Sequence, residues 1–310
     1  MPPMMYGTAW KKERTADLVY KAIKAGFRGI DTAAMKKHYD ETLTGEGIRR
    51  AIREGIVSRK ELFIQTKFTP YDSTSAYSIS DPIPAQIHTS LTSSLTNLST
   101  PDHTPPYLDA LVLHSPFPTL PQTLEAWSAL QAYLPHSPDP SRRGRVLRLG
   151  ISNVSDPSIL DALSSSKQSA VPPAIVQNRF RATENKWDRD VRAWCSSSSS
   201  STSQQVLPEA TTTRYQGFWT LTGNAATWQR EGGFVQELAE HAGVSLAAAW
   251  YVLLMEAGVV VLNGTGDGAH MREDLEAWGR VREWRRTAAA AEGEEVWGRC
   301  WERFRGLIGD

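Results

Sequence analysis

Asp31, Tyr39, Lys67 and His114 could together manage a proton at a carbonyl, and each stands at or just beyond a short apolar run. "GFRGID" ends on the aspartate, "LFIQTK" on the lysine and "LDALVLH" on the histidine, while the tyrosine follows in "TAAMKKHY". A lysine at the end of a buried run needs a counter-charge, and Asp31 on the preceding run is the nearest candidate. If Tyr39 folds over that ammonium, its phenolate is favoured and its pKa is expected to drop from about 10 towards the working range, which suits a general acid. His114 can hydrogen-bond the same substrate oxygen and fix the direction of a carbonyl. Taken singly the residues have plainer roles: a turn cap for Asp31, a snorkelling side chain for Lys67 and a satisfied core histidine for His114.

The elements that would gather these residues are legible as well. Runs rich in β-branched and aliphatic residues occur at 27–30, 62–66, 108–113, 146–151, 173–176 and 259–262, and "MMYG" near the start and "YQGFW" at 215–219 bring the strand candidates to eight. Amphipathic stretches at 14–26, 45–55, 85–98 and 123–134 alternate with them, which implies a parallel sheet. Eight strands close an α/β (β/α)8 TIM barrel, with an open doubly wound sheet as the alternative. In a barrel all the strand ends share one face, where active sites are built; Asp31, Lys67, His114, Ser152, Asn153 and Gln177 all stand at such ends.

The 310 residues suit one barrel, and 1–310 is read as a single domain with helices from about 270 onward. Lysine plus arginine and aspartate plus glutamate both number 34, so no net field favours nucleic acid or an anionic membrane. Cys195 and Cys300 read as incidental thiols of a reducing compartment, and no apolar stretch suits a secretory signal or a membrane span; a cytoplasmic location is expected. The loops 68–84 and 99–107 are rich in proline and serine, the first a candidate lid or a surface excursion. A Ser-rich insertion over 196–213 has too little apolar surface to order itself. No protein partner is identifiable.

A reduction by the four residues would still lack a hydride, which no side chain supplies and a nicotinamide normally does. Here "GTAW", "GFRGIDTA", "YDE", "FIQTKF", "LVLHSP", "LGISN" and "VQNRF" follow in an order that resembles the aldo-keto reductases, from about residue 6 to 285. The resemblance implies an eight-stranded α/β barrel and NAD(P)H-dependent reduction of an aldehyde or ketone, or the reverse oxidation of an alcohol. It implies Asp31 and Lys67 as an ion pair, Tyr39 as proton donor and His114 as carbonyl orienter. It places cofactor contacts at Gly7, Thr8, Ala9 and Asp31, and at Ser152, Asn153 and Gln177 for the nicotinamide amide. Phe218 becomes the aromatic shelf for the ring, with Trp219 and Leu221 beside it, and Gly264, Thr265, His270, Glu273 and Asp274 fall at the adenosine end. The cofactor expected is NADP(H), with NAD(H) the alternative, and the partner a small carbonyl or alcohol.

Several features depart from the family pattern. Tyr39 lies eight positions after Asp31, where the family interval is five, and "MKKH" fills the longer loop. Gly264 and His270 stand where many NADP-dependent members carry a lysine and an arginine for the extra phosphate; Thr265, His270 and Arg272 remain candidate ligands. Only "MPPMMYGTAW" precedes the first helix, and Trp278, Trp284, Trp297 and Trp301 lie where a C-terminal segment can wall the pocket or pack the last helices. These departures motivate a second reading, a cofactor-binding regulatory or interaction subunit with little turnover. A Schiff-base lyase using Lys67 is a third, opposed by the pairing that would keep the lysine protonated.

Overall fold

In the computed structural model the eight apolar runs become eight strands: β1 (Met4–Gly7), β2 (Gly29–Asp31), β3 (Phe63–Phe68), β4 (Ala110–Leu113), β5 (Leu149–Ser152), β6 (Ile175–Arg179), β7 (Arg214–Phe218) and β8 (Val260–Asn263). The structure describes residues 1–310 except 71–74, 76, 166–170, 198–211, 288 and 289. The strands are parallel, each pairs with the next, and β8 pairs back onto β1 through Met4, Met5 and Tyr6, so the sheet is a closed barrel and not an open one. Of the serine-rich insertion, 198–211 lies outside the described residues, as do 71–74 and 76 of the candidate lid.

Side-chain alternation along each strand divides the apolar residues into two cores. On β3, Ile64 and Phe68 belong to the large core between sheet and helices. Phe63, Gln65 and Lys67 fall on the opposite face and point into the barrel. Met5, Phe63, Ala110, Ile175 and Val260 form a separate apolar cluster that floors the interior. Above it the register sets Asp31 beside Gln65 and Gln177 beside Gln216.

Outside the barrel, the helix Thr15–Ala25 buries Leu18, Val19, Ala22 and Ile23, the i, i+4 stripe that faces a sheet, and ends at Gly26 with φ 120°. The helix Glu41–Arg53 starts where Asp40 accepts a hydrogen bond from Leu43 N at 2.8 Å. Residues after β8 form the helices Gly268–Thr287 and Ala290–Ile308. Trp297, Trp301 and Phe304 stack along the last of these, and none of Trp278, Trp284, Trp297 and Trp301 lines the cavity described below. Cys195 and Cys300 are both free and buried. Among the described residues no single helix is long and apolar enough to cross a membrane.

One inward position requires the smallest residue. A Cβ on Gly150 of β5 would lie 2.8 Å from Ile175 Cβ and 2.9 Å from the Ile175 carbonyl oxygen, neither of which can swing away. Gly150→Ala should therefore cost about 1–3 kcal/mol of stability, read from the midpoint of urea unfolding; an unchanged midpoint would show that the barrel wall has slack there.

Candidate active site

Lys67, fully buried near the end of β3, donates from Nζ to Asp31 Oδ2 at 2.6 Å and to the Thr32 carbonyl at 2.8 Å. Asp31 is held in turn, since its Oδ1 accepts from Gln65 Nε2 at 2.7 Å and from Gln177 Nε2 at 3.0 Å. Both amides also donate to Gln216 Oε1, at 2.9 and 2.8 Å, and Gln216 Nε2 donates in return to Gln65 Oε1 at 3.0 Å. A buried carboxylate is tolerable when its lone pairs are satisfied, and three glutamines form the bed on which this one rests. Gln65 and Gln216 are functional neighbours that sequence reading missed. Gln65 stands two residues before Lys67, so the period of a strand was signal enough; for Gln216 only a barrel register relates it to Asp31.

The longer loop after β2 is absorbed by a local turn. Ala34 N donates to the Lys67 carbonyl at 3.1 Å, Tyr39 N donates to the Met35 carbonyl at 3.0 Å, and Trp10 N donates to the His38 carbonyl at 2.7 Å. With Asp40 capping the next helix, Tyr39 is brought back over the ion pair, its ring centroid 5.0 Å from Lys67 Nζ. Lys67 acts on the phenol both as a charge and through a hydrogen bond.

The expected drop in the Tyr39 pKa does not occur. Burial raises it, the attraction of Lys67 opposes this without overcoming it, and Asp31 adds to the rise. The phenol keeps its proton chiefly because burial disfavours the phenolate, and the Asp31 carboxylate offsets part of the attraction of the ammonium. For Lys67, burial favours the neutral amine, but Asp31 and Tyr39 outweigh it and the pKa lies above the ordinary lysine value.

His114, one residue past β4, faces Tyr39 with ring centroids 6.1 Å apart, edge to face. Its Nδ1 lies 2.7 Å from Thr69 Oγ1, and its carbonyl accepts from Asn153 Nδ2 at 2.8 Å. Burial, then the charge of Lys67 and the nearby His38, push its pKa down to about 3, so the ring is neutral at ordinary pH. Thr69 fixes the ring and was not anticipated, because a threonine in "KFTP" reads as loop.

These groups form the inner end of a cavity of about 940 Å³. Of the residues expected to hold a cofactor, all line it except Arg272 and Thr8, whose hydroxyl turns away to the Asp31 carbonyl at 3.1 Å, and Lys67 lies beneath its floor. Near His114, Asn153 and Gln177 spend their amide N–H groups inside the protein, while Asn153 Oδ1 and Gln177 Oε1 have no partner among the described residues. Ser152 Oγ donates to the Gln177 carbonyl at 2.6 Å. Phe218 and Trp219 follow on β7 and its loop, with the Arg179 guanidinium 4.3 Å from the Trp219 ring centroid.

At the far end of the cavity, Glu273 Oε1 accepts from Ser245 N at 2.9 Å and Asp274 Oδ2 accepts from Asn263 Nδ2 at 2.7 Å. Burial raises the Asp274 pKa to about 6. The volume, one apolar aromatic face and two vacant amide acceptors fit an elongated ligand carrying a flat carboxamide ring. Among the described residues no group of three or more His, Cys, Asp and Glu side chains gathers to hold a metal.

Comparison with known proteins adds independent findings. The model of the aldo/keto reductase family matches residues 4–282. An NAD(P)H-dependent D-xylose reductase of Pachysolen tannophilus is 52% identical over 58 residues, 19% of this chain and 18% of that protein. An aldo-keto reductase of Bombyx mori is 33% identical over 175 residues, 54% of this chain and 48% of that protein, so these curated relatives are matched over less than half their length. A solved aldo/keto reductase of Brucella melitensis superposes with a TM-score of 0.66 at 21% identity, covering 90% of this chain and 89% of the other. The Bombyx mori enzyme solved with NADP gives 0.65 at 21% identity, covering 92% and 89%. At such identities the solved structures speak for the fold alone.

Two outcomes follow from the buried charges. Asp31→Asn strands the Lys67 ammonium without a counter-charge and should cost about 3–5 kcal/mol in denaturant unfolding, with part recovered in the Asp31→Asn, Lys67→Met double variant. Because the folded His114 pKa of about 3 lies below the free value of 6.5, the unfolded chain takes up a proton that the folded one refuses. The His114 contribution to stability is therefore complete above the unfolded value and lost as pH falls through that window, a slope that His114→Gln should flatten. Ring-nitrogen NMR at pH near 5 should find His114 neutral; a protonated ring there would refute the assignment.

Proposed function

The chain belongs to the aldo/keto reductase family, and we propose that it reduces the carbonyl of a small aldehyde or ketone to an alcohol, or runs the reverse oxidation, with NAD(P)H as the hydride source. The observation that carries this reading is Tyr39, a phenol that keeps its proton, held over the Lys67–Asp31 pair and opposite a neutral His114 at the inner end of one cavity. A bound nicotinamide supplies the hydride. Asn153 Oδ1 and Gln177 Oε1 would accept from its carboxamide, with Ser152 beside them, and the flat face of Phe218 would back the ring.

Tyr39 gives its proton to the carbonyl oxygen as that oxygen gains charge. The phenolate it leaves faces the Lys67 ammonium, which Asp31 keeps charged, so the cost of forming a buried anion is met at the moment of transfer. A raised resting pKa is compatible with this role, because the residue must arrive protonated. Thr69 donates its hydroxyl proton to His114 Nδ1, so that Nε2 carries the ring proton and points the substrate oxygen at Tyr39. The same ion pair argues against a Schiff-base role, since an ammonium with two short hydrogen bonds is no nucleophile.

The test is the decay of reduced-cofactor absorbance with a panel of aldehydes and ketones. Tyr39→Phe should lower kcat by about a hundredfold or more while cofactor binding, followed by tryptophan quenching, is retained. No consumption with any carbonyl, or a fully active Tyr39→Phe, would overturn the reading.

A further inference from the structure

Three consecutive residues after β6, none of them glycine, adopt the left-handed region: Lys186 (φ 48°), Trp187 (φ 61°) and Asp188 (φ 55°). Such backbone is costly and persists only where its surroundings hold it. Here Trp187 is buried against Phe180 and Trp250, with ring centroids 5.2 and 6.0 Å away. Its N–H donates to the Arg181 carbonyl at 3.2 Å, and its carbonyl accepts from Arg192 Nε at 2.8 Å. Arg192 is pinned in turn by Asp310 Oδ1 and the Ile308 carbonyl, each at 2.6 Å. What the turn delivers is the buried Asp188 carboxylate, whose Oδ2 accepts from Asn178 Nδ2 at 2.7 Å.

Asn178 follows Gln177 on β6, and alternation along the strand turns it away from the barrel interior. Its amide closes on the loop after β5, where Oδ1 accepts from Val154 N at 3.0 Å and Nδ2 donates to the Val154 carbonyl at 2.5 Å. Burial pushes the Asp188 pKa up to about 6, so at neutral pH the carboxylate is ionised and only accepts. It therefore admits the Asn178 amide in one sense, with Nδ2 towards it and Oδ1 left for Val154 N.

The residue before Val154 is Asn153, itself left-handed at φ 54°, with its N–H on the Gln177 carbonyl at 3.2 Å. Asn153 Nδ2 is spent on the His114 carbonyl and Ser152 Oγ, which leaves Oδ1 without a partner among the described residues. A left-handed residue whose side chain must point one way needs the peptides on both sides fixed. Gln177 fixes the first, and Asn178 fixes the second.

Resting on the nicotinamide reading above, we propose that Asn178 and Asp188 are positioning residues, which hold Asn153 with Oδ1 turned into the cavity for the carboxamide of the cofactor. Neither lines the cavity, and both act through the backbone at Val154. The cost of the left-handed turn is offset by the placement of Asp188 against β6.

The experiment measures binding of NADP+ and of 2′,5′-ADP, which lacks the nicotinamide, by calorimetry on the full chain, beside the side-chain amide NMR spectrum of the free protein. Asn178→Ala should weaken NADP+ about tenfold and leave 2′,5′-ADP within about twofold. Asp188→Asn, which keeps the shape of the side chain, should weaken NADP+ about threefold with the same selectivity, and it decides on the same measures if Asn178→Ala does not fold. Asn153→Ala should match Asn178→Ala, and the double variant should lose no more than either alone, because both remove one acceptor. In the free protein the Asn153 side-chain signals should move towards those of an unbonded amide in Asn178→Ala. Unmoved signals, additive losses, or equal losses for the two nucleotides would overturn the proposal. If the signals move while Asn153→Ala leaves NADP+ binding unchanged, the positioning stands and the carboxamide reading falls. If Asn153→Ala weakens NADP+ and Asn178→Ala does not, the carboxamide reading stands and the positioning falls.

Discussion

The ion pair of Lys67 and Asp31 is the constraint to which the rest of the barrel interior is fitted. Neither charge is tolerable there alone, and neither is left alone: the ammonium also reaches the Thr32 carbonyl, and the carboxylate takes two amide N–H groups from neighbouring strands. Those amides need a third partner of their own, which fixes Gln216 on the far wall. Closure of the sheet is what makes this possible, because only a barrel lets β2, β3, β6 and β7 all present side chains to one point. An apolar floor of Met5, Phe63, Ala110, Ile175 and Val260 then separates the polar bed from the other end.

That constraint also sets the charge state of everything above it. Burial, with Asp31 beside it, outweighs the pull of Lys67 and leaves Tyr39 protonated, and the same ammonium helps burial to keep His114 neutral. The inner end of the cavity therefore holds two uncharged proton-bearing groups over a self-compensated pair. The wall after β1 differs, since Lys11 there donates to the Gly264 carbonyl and forms no salt bridge among the described residues.

Much of this was legible in the sequence, for identifiable reasons. Eight apolar runs closed by polar residues predicted the strands and the shared face, and the pairing of Lys67 with Asp31 followed from the cost of burying either alone. What could not be read depended on distance in the chain. Gln65 was available from alternation along β3, but the tie of Gln216 to Asp31 depends on barrel register, and the reach of Lys11 to Gly264 joins residues at opposite ends of the chain. The sign of the Tyr39 shift was misjudged because a sequence names the nearby cation but not the depth at which the phenol is buried. The direction of the Thr8 hydroxyl, toward the Asp31 carbonyl, was hidden for a related reason: being adjacent to the pocket in sequence does not fix which way a side chain faces.

The turn between Asp31 and Tyr39 has a further significance for how such a protein can change. Its entrance is pinned by Ala34 N on the Lys67 carbonyl, and its exit by the His38 carbonyl and the Asp40 cap. Lys36 and Lys37 between these anchors make no hydrogen bond to either catalytic candidate among the described residues, whereas Met35, whose carbonyl takes the Tyr39 N–H, is part of the anchor. Residues can be gained, lost or exchanged in that interval while the two ends hold their positions, so the segment is a natural cassette: the wall of the pocket can diversify on a timescale independent of its chemistry.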